Sequence, residues 1–306
     1  VVHLLGATFE GGYFLYRFSD PTFVVADAVA RTLAATSLGA CRAIDLCGGS
    51  GHLTRTLTQV STTRPVLLDL SFVKLWLARR FTVVGCEAIC ADAHAPLPFA
   101  SGAFRLAICN DAFHYVWTKT LFAREMQRIV DREGVAAVTH VHNAEQWNPS
   151  AGNPLPPRGY RDLFENADTR VFGERALLED VVNGRLNLAR TQAEHALETD
   201  PALTVISSRR ADVFVDRVLD THQPVQGVLA INPLYDVRMD NGRARLCLRF
   251  PSKDYEDEYA DCRRYLPEAL TIDRATLAAL EAGESGREID ALRDRRVLLD
   301  LPARYL

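Results

Sequence analysis

The chain has 306 residues, enough for one large domain or for a core domain with a smaller companion. Hydrophobic residues make up 48% and charged residues 24%, the balance of a folded globular chain. A formal net charge of −4 supplies no basic field for nucleic acid or anionic membranes, and no apolar run reaches the roughly 18 residues of a membrane span.

The seven cysteines stand at 41, 47, 86, 90, 109, 247 and 262, with no C-x-x-C pair and no zinc-like spacing, which fits a reduced, cytoplasmic setting. The chain begins at Val1 without a methionine, consistent with a short missing leader.

From about 40 to 210, short apolar runs alternate with amphipathic stretches, the pattern of a parallel sheet with crossover helices. The first strand covers 41–46, followed by a Gly-rich turn and a helix over 52–60. The second strand covers 65–69, and Ser71 is placed to cap a helix over 72–81. Strands are expected over 85–90, 104–109 and 135–141, with a helix over 119–130 before Gly134. Residues 148–159, rich in Pro, Gly and Asn, read as loop. Then follow a helix over 160–166, strands at 169–172 and 203–207, and a helical insertion or lid over 174–197. Beyond about 210 the character changes: runs 228–237 and 244–250 flank Asp240-Asn-Gly242, a hairpin signal. A helix near 275–282 and an apolar run at 296–301 complete an α+β accessory region (211–306), suited to substrate binding or to homodimer formation. Residues 1–210 form the core, with an N-terminal arm.

Asp45-Leu-Cys-Gly-Gly-Ser-Gly51 joins the first strand to its helix. Glycines let the backbone approach a ligand closely, and a helix N-terminus offers free N–H groups to an anion. Asp45, Asp69 and Asp92 follow on the ends of the first three strands. An acid at the end of the second strand is placed to accept ribose hydroxyls, and one after the third an exocyclic amine. Together they suit a ligand with an ammonium group, a ribose and an adenine. A nicotinamide dehydrogenase would require Gly-x-Gly-x-x-Gly/Ala, whereas Gly49-Ser-Gly-His-Leu-Thr54 ends in threonine and that reading leaves Asp45 and Asp92 idle. A protein that keeps the fold without turnover is the other alternative.

The set Ala43–Leu53, Val66–Ser71, Cys90–Phe104 and Phe122–Val130 with Gly134 resembles, in order over residues 40–142, the class I S-adenosylmethionine-dependent methyltransferases, especially the small-molecule branch of ubiquinone and menaquinone biosynthesis. The resemblance implies a doubly wound, Rossmann-like seven-stranded α/β sheet and S-adenosylmethionine as cofactor. By position, it gives Asp45, Cys47, Gly49 and Gly51 to the methionine moiety, Asp69 and Leu70 to the ribose, and Asp92 and Ala93 to the adenine. Asn110 would approach the methionine end. Cys47 departs from the family, standing where it usually has its first glycine.

Methyl transfer to a hydroxyl benefits from in-line positioning and from a base, for which histidine is suited. His114 follows the fourth strand, and His140 and His142 lie at the end of the fifth, expected to share one strand face. These are the catalytic candidates, with hydrogen-bonding caps of strand ends as the plainer alternative. The pair His140/His142 also permits a metal, although no metal ligand is assigned. Asp111 and Asn143 are orienting groups or loop caps. Trp117 and Trp147 would wall the acceptor or fill space, and Tyr13, Tyr16 and Arg17 would close over the cofactor or pack as an ordinary arm. Asn232-Pro-Leu-Tyr235 is set aside as an amino-methylation motif because its third residue differs and it is read as lying within a hairpin strand. The expected activity is O-methylation of a small molecule such as a secondary metabolite or a sugar, with C- and N-methylation open. No nucleic-acid or membrane partner is expected.

Overall fold

Short apolar runs punctuated by helices build a seven-stranded sheet. The computed structural model describes residues 9–37, 39, 41–148, 152–220 and 223–305. Helices α1 (Phe9–Tyr16) and α2 (Pro21–Ser37) lead into β1 (Ala43–Leu46), α3 (His52–Val60), β2 (Val66–Asp69), α4 (Phe72–Leu77) and β3 (Glu87–Cys90). These are followed by β4 (Phe104–Asn110), α5 (Lys119–Ile129), β5 (Val130–His142), α6 (Pro157–Asp162), β6 (Asp168–Gly173) and α7 (Glu174–Val182). Then come β7 (Arg185–Asn187), α8 (Glu194–Glu198), β8 (Ala202–Ser208) and β9 (Asp216–Val218). The sheet order is β3-β2-β1-β4-β5-β8-β6, with β8 antiparallel to β5 and β6 and the remaining neighbours parallel. This is the Rossmann-like α/β sheet expected from the sequence.

Both faces of the sheet are covered. Val66 and Leu68 pack with Phe104, Phe122, Met126 and Ile129, while Leu67 between them packs with Leu75, Ala78 and Val83. The alternation is the two-residue period of a strand. With apolar contacts on either side, the strands read as unbroken hydrophobic runs, and each fully buried Leu or Phe contributes about 1.5–3 kcal/mol.

Several spans differ from the sequence reading. The helix after Ser71 starts as expected, with the Ser71 hydroxyl accepting from Lys74 N–H at 3.4 Å, but its last residues form a π-helix over Ala78–Thr82. The expected helix over 174–197 is broken. After α7, Asn183 and Gly184 (φ +70°) turn the chain into β7, which pairs with β9, and only Glu194–Glu198 is helical again. The loop over 148–159 ends earlier than read, because Pro157 opens α6, where proline's missing N–H is no loss; residues 149–151 of that loop lie outside the described residues.

By compactness the chain divides into Val25–Leu219 and the described part of Val1–Val24 with Asp220–Leu306. The pairing of β7 with β9 holds the chain up to Leu219 with the sheet, past the boundary read at 210. The N-terminal arm belongs to the other unit: Ser19 Oγ donates to Asn232 Oδ1 at 2.8 Å, and Phe14 packs on Tyr305 with ring centroids 4.7 Å apart.

In that unit β10 (Val228–Ile231) pairs with β14 (Leu298–Leu301), while β11 (Tyr235–Asp240), β12 (Arg243–Leu248) and β13 (Ala269–Ile272) form a three-stranded antiparallel sheet. The Asp240-Asn-Gly242 hairpin forms as read, with Asn241 and Gly242 at φ +49° and +76°. Run 228–237 is nevertheless two strands on different partners. Asn232 lies in the turn between them rather than within a strand, and its buried amide accepts from Leu234 N–H and donates to Arg296 O. Tyr235, Leu246, Tyr255, Tyr259 and Cys262 form the core here. Tyr16 meets Tyr255 edge-on, and Arg17, buried beside Asp20 at 3.2 Å, lies 4.6 Å over the Tyr13 ring, so these three residues pack within the arm's own unit. Among the described residues no helix is long and apolar enough to cross a membrane.

Candidate cofactor and acceptor site

The order of strands reverses between β1 and β4, and in open sheets of this kind ligands bind at the carboxyl ends of the strands beside such a switch point. The Gly-rich loop leaves β1 at that point. Gly48 N–H donates to Leu68 O at 3.1 Å, and Gly51 N–H to Gly48 O at 2.9 Å, folding the loop back over β2. Asp45 lies fully buried beneath it and accepts from the Thr54 hydroxyl at 2.6 Å. A Cβ on Gly48 would come within 2.4 Å of that carboxyl group, so only glycine lets the loop pass over it. Gly49, at φ +54°, is open to space, its nearest neighbour to a built Cβ being Lys74 Cδ at 3.8 Å. Cys47 takes φ +57°, a left-handed conformation that costs an L-residue about 1–2 kcal/mol. The family's usual glycine at that position follows from this backbone. The Cys109 thiol beside it is pushed well up by its hydrogen bond with Cys47 and by burial.

Asp69 braces the loop from β2. Its Oδ2 accepts from Gly49 N–H at 2.9 Å and its Oδ1 from Ser71 N–H at 2.8 Å, and the further lone pairs on each oxygen can take hydroxyls. Leu70 is 65% exposed beside it, a large apolar side chain available to a ligand. Asp92 lies after β3, its carboxylate held below the usual range by His94 N–H and then by the His94 ring at 2.8 Å. Ala93 is buried. Asn110, ending β4, accepts from the Thr139 hydroxyl at 2.8 Å. An open approach over Gly49, backbone N–H groups at the start of α3 and acids at the ends of successive strands fit a ligand with an amino-acid end, a ribose and an adenine.

The histidines do not lie as the strand period alone dictates. The register of β5 against β8 shifts between Val138 and Val141, and His140 takes φ +52°. The bulge bends the strand at His140, yet the rings of His140 and His142 remain neighbours, edge-on with centroids 5.7 Å apart. His140 N–H donates to Glu174 Oε1 at 2.6 Å, and its Nδ1 lies 2.7 Å from Glu174 Oε2. Glu174 also accepts from the Thr204 hydroxyl at 2.9 Å.

On its other side His142 stacks on His114, with centroids 3.7 Å apart and planes 19° from parallel. Burial, followed by the His142 imidazole, pushes His114 down to about 3, and burial, followed by the His140 imidazole, pushes His142 down to about 4, so both rings are neutral near pH 7. Tyr160 donates to His142 O at 2.8 Å, and Lys119, lowered to about 8 by burial, donates to His114 O at 3.2 Å. Asp111, also left-handed at φ +53°, brings a carboxylate to the same place: its oxygen and one nitrogen each from His114 and His142 lie within 4.8 Å of one another. The metal-capable set is thus Asp111, His114 and His142, not the sequence neighbours His140 and His142, and none of the three was assigned to a metal from sequence.

Asn143 serves as a loop cap. Its amide donates to the carbonyls of Leu197 (2.9 Å) and Asp200 (2.9 Å), and its oxygen accepts from Glu145 N–H. Trp117 and Trp147 are 72% and 83% exposed, so neither fills the interior.

Sequence reasoning missed Glu174, Thr54, Thr139 and Asp200. Glu174 opens a helix 34 residues after His140, a separation over which no local pattern speaks, and Thr54 hides within the helix that follows the loop.

The sheet with its single reversed strand, the loop after β1 and the acids on the following strand ends make a Rossmann-like, methyltransferase-type fold. Residues 43–134 match the family model described as a methyltransferase domain, and S-adenosylmethionine is the cofactor of that family. Among solved structures, an S-adenosylmethionine-dependent methyltransferase from Mesorhizobium loti is 18% identical, overlapping 56% of this chain and 92% of its own at a TM-score of 0.42. Geranyl diphosphate methyltransferase in complex with geranyl diphosphate and sinefungin is 16% identical, overlapping 60% and 78% at 0.45. The [4+2]-cyclase SpnF is 15% identical, overlapping 60% and 81% at 0.45. No curated protein sequence matches the chain.

Proposed function

We propose that the chain transfers a methyl group from S-adenosylmethionine to a hydroxyl of a small molecule, such as a secondary metabolite or a sugar, in a reduced cytoplasmic setting. Bound there, S-adenosylmethionine supplies an electrophilic methyl on a sulfonium. The backbone around Gly49 and Gly51 would hold its amino-acid end, with Asp45 and Cys47 acting through the shape of the loop and Asn110 lining the approach. Asp69 and Leu70 would hold the ribose, and Asp92 and Ala93 the adenine edge.

The His140–Glu174 pair carries the hydroxyl assignment. A histidine at the carboxyl end of β5, turned by a bulge and held at two points by one carboxylate, is built as an oriented proton acceptor. The Glu174 carboxylate fixes the ring and favours the imidazolium formed when the acceptor loses its proton. Trp117 and Trp147 offer exposed aromatic faces to an acceptor. The net charge of −4 favours a small molecule over nucleic acid. Residues 220–306 would serve the acceptor or a homodimer contact.

The test is turnover of methyl-labelled S-adenosylmethionine with a panel of hydroxylated, amino and carbon-acid small molecules. The expected result is transfer to a hydroxyl compound, with His140→Ala lowering kcat by about 10²–10⁴ while cofactor affinity is retained. Transfer confined to nitrogen or carbon acceptors, or full turnover by His140→Ala, would overturn the hydroxyl assignment.

A further inference from the structure

We propose that Asp111, His114 and His142 form a binding site for a divalent first-row transition ion such as Zn²⁺ or Co²⁺. The three donor atoms lie within 4.8 Å of one another, contributed by the ends of β4 and β5 and by the short helix over Phe113–Tyr115. Two imidazoles and one carboxylate are the mixed nitrogen and oxygen set these ions prefer.

A separate observation points to a ligand. His114 is 0% exposed, and neither of its ring nitrogens meets a hydrogen-bonding partner among the described residues. A buried polar group left so costs about 1–3 kcal/mol. Apolar side chains would pack this position without that penalty, and coordination removes it. The neighbourhood is fixed from outside the ring: Tyr160 bonds the His142 carbonyl, and Lys119 bonds the His114 carbonyl. Bonds of about 2.0–2.1 Å place ligand atoms of a tetrahedral site roughly 3.3 Å apart. The set therefore closes by up to about 1.5 Å, with the two stacked rings tilting out of parallel towards a common point and the Asp111 carboxylate turning to it.

Three protein ligands leave at least one coordination position for water or for an oxygen of another molecule. Here the proposal joins the functional reading and rests on it: an acceptor hydroxyl in that position would be polarised by the ion, while the His140–Glu174 pair takes its proton. The bonds formed are metal to acceptor oxygen, carbon to oxygen and hydrogen to the His140 ring nitrogen. The bonds broken are sulfonium to methyl and the acceptor's oxygen to hydrogen; the sulfonium leaves as the neutral thioether, and no redox step is involved.

The experiment is metal binding by the full chain, without cofactor or acceptor, so that its outcome is independent of methyl transfer. The protein is stripped with chelator and titrated with Co²⁺ followed by visible absorption, then with Zn²⁺ in competition. One ion per chain is expected, with ligand-field bands displaced by Zn²⁺. His114→Ala and His142→Ala should weaken binding by more than about 100-fold, and the exposed His195→Ala should leave it unchanged. Zinc X-ray absorption on the wild-type protein, which does not depend on a variant's folding, should show two imidazoles and no sulfur. Absence of stoichiometric binding, sulfur in the zinc shell, or undiminished binding by a folded His114→Ala or Asp111→Asn variant would overturn the proposal.

Discussion

Asp200 should make the sheet unit lose stability as pH rises through the mildly acidic range. The residue is 6% exposed; its Oδ2 accepts from Arg175 N–H at 3.0 Å and its Oδ1 from Ala202 N–H at 3.2 Å, clamping the start of the helix that carries Glu174. Burial is the largest influence on its carboxyl group; the two backbone N–H groups lower its pKa, nearby Glu174 raises it and Arg175 lowers it, and the outcome is a rise from 3.8 to about 6. The folded state therefore binds the proton more tightly than the unfolded chain. Stability is full below the unfolded value and falls as pH rises through the folded one, by about 3 kcal/mol in total. Between pH 4.5 and 7.5 about 2 kcal/mol of this change is accessible. Asp200→Asn cannot ionise, and whatever its amide costs in hydrogen-bond geometry is the same at both pH values. The stability of Asp200→Asn minus that of the wild type should therefore rise by about 2 kcal/mol from pH 4.5 to 7.5, a relative urea-midpoint displacement of about 1 M. Equilibrium urea unfolding followed by circular dichroism at the two pH values measures it. A difference independent of pH would refute the buried-carboxylate reasoning.

Gly51→Ala should destabilise the cofactor unit by about 2–4 kcal/mol, because φ +79° is strained for alanine and its Cβ would lie 2.9 Å from both Ala78 Cβ and Val83 Cγ1. A calorimetric Tm within a degree of the wild type would show that the loop is not so confined. Asn143→Ala removes a buried amide from two carbonyls it satisfies and should cost about 2–4 kcal/mol in urea unfolding. A cost below about 0.5 kcal/mol would mean that the loops it joins rearrange freely.

The sheet was readable because its strands are covered on both faces. Val66-Leu-Leu68 alternates between two cores and so appears in the sequence as an unbroken apolar run, and the Ser71 cap and the Asp240-Asn-Gly242 turn are local chemistry that spacing reveals. What stayed hidden depends on residues far apart in the chain. The break after α7 is driven by pairing of Arg185–Asn187 with Asp216–Val218, and the run at 228–237 is divided because Val228–Ile231 finds Leu298–Leu301. The acids and glycines of the cofactor loop could be read in order because each sits at a strand end. The partners of the histidines could not, because the one-residue bulge in β5 leaves no local signal, and only the folded chain brings Glu174 to His140 and Asp111 and His114 to His142.

Calorimetric titration with S-adenosylmethionine and S-adenosylhomocysteine tests the cofactor assignment most directly. One molecule of either should bind per chain, and Asp69→Ala, which removes two charge-assisted hydrogen bonds worth about 3 kcal/mol together, should weaken both by about 100-fold. No binding of either compound by the folded wild-type protein, or binding that Asp69→Ala leaves undiminished, would contradict the account.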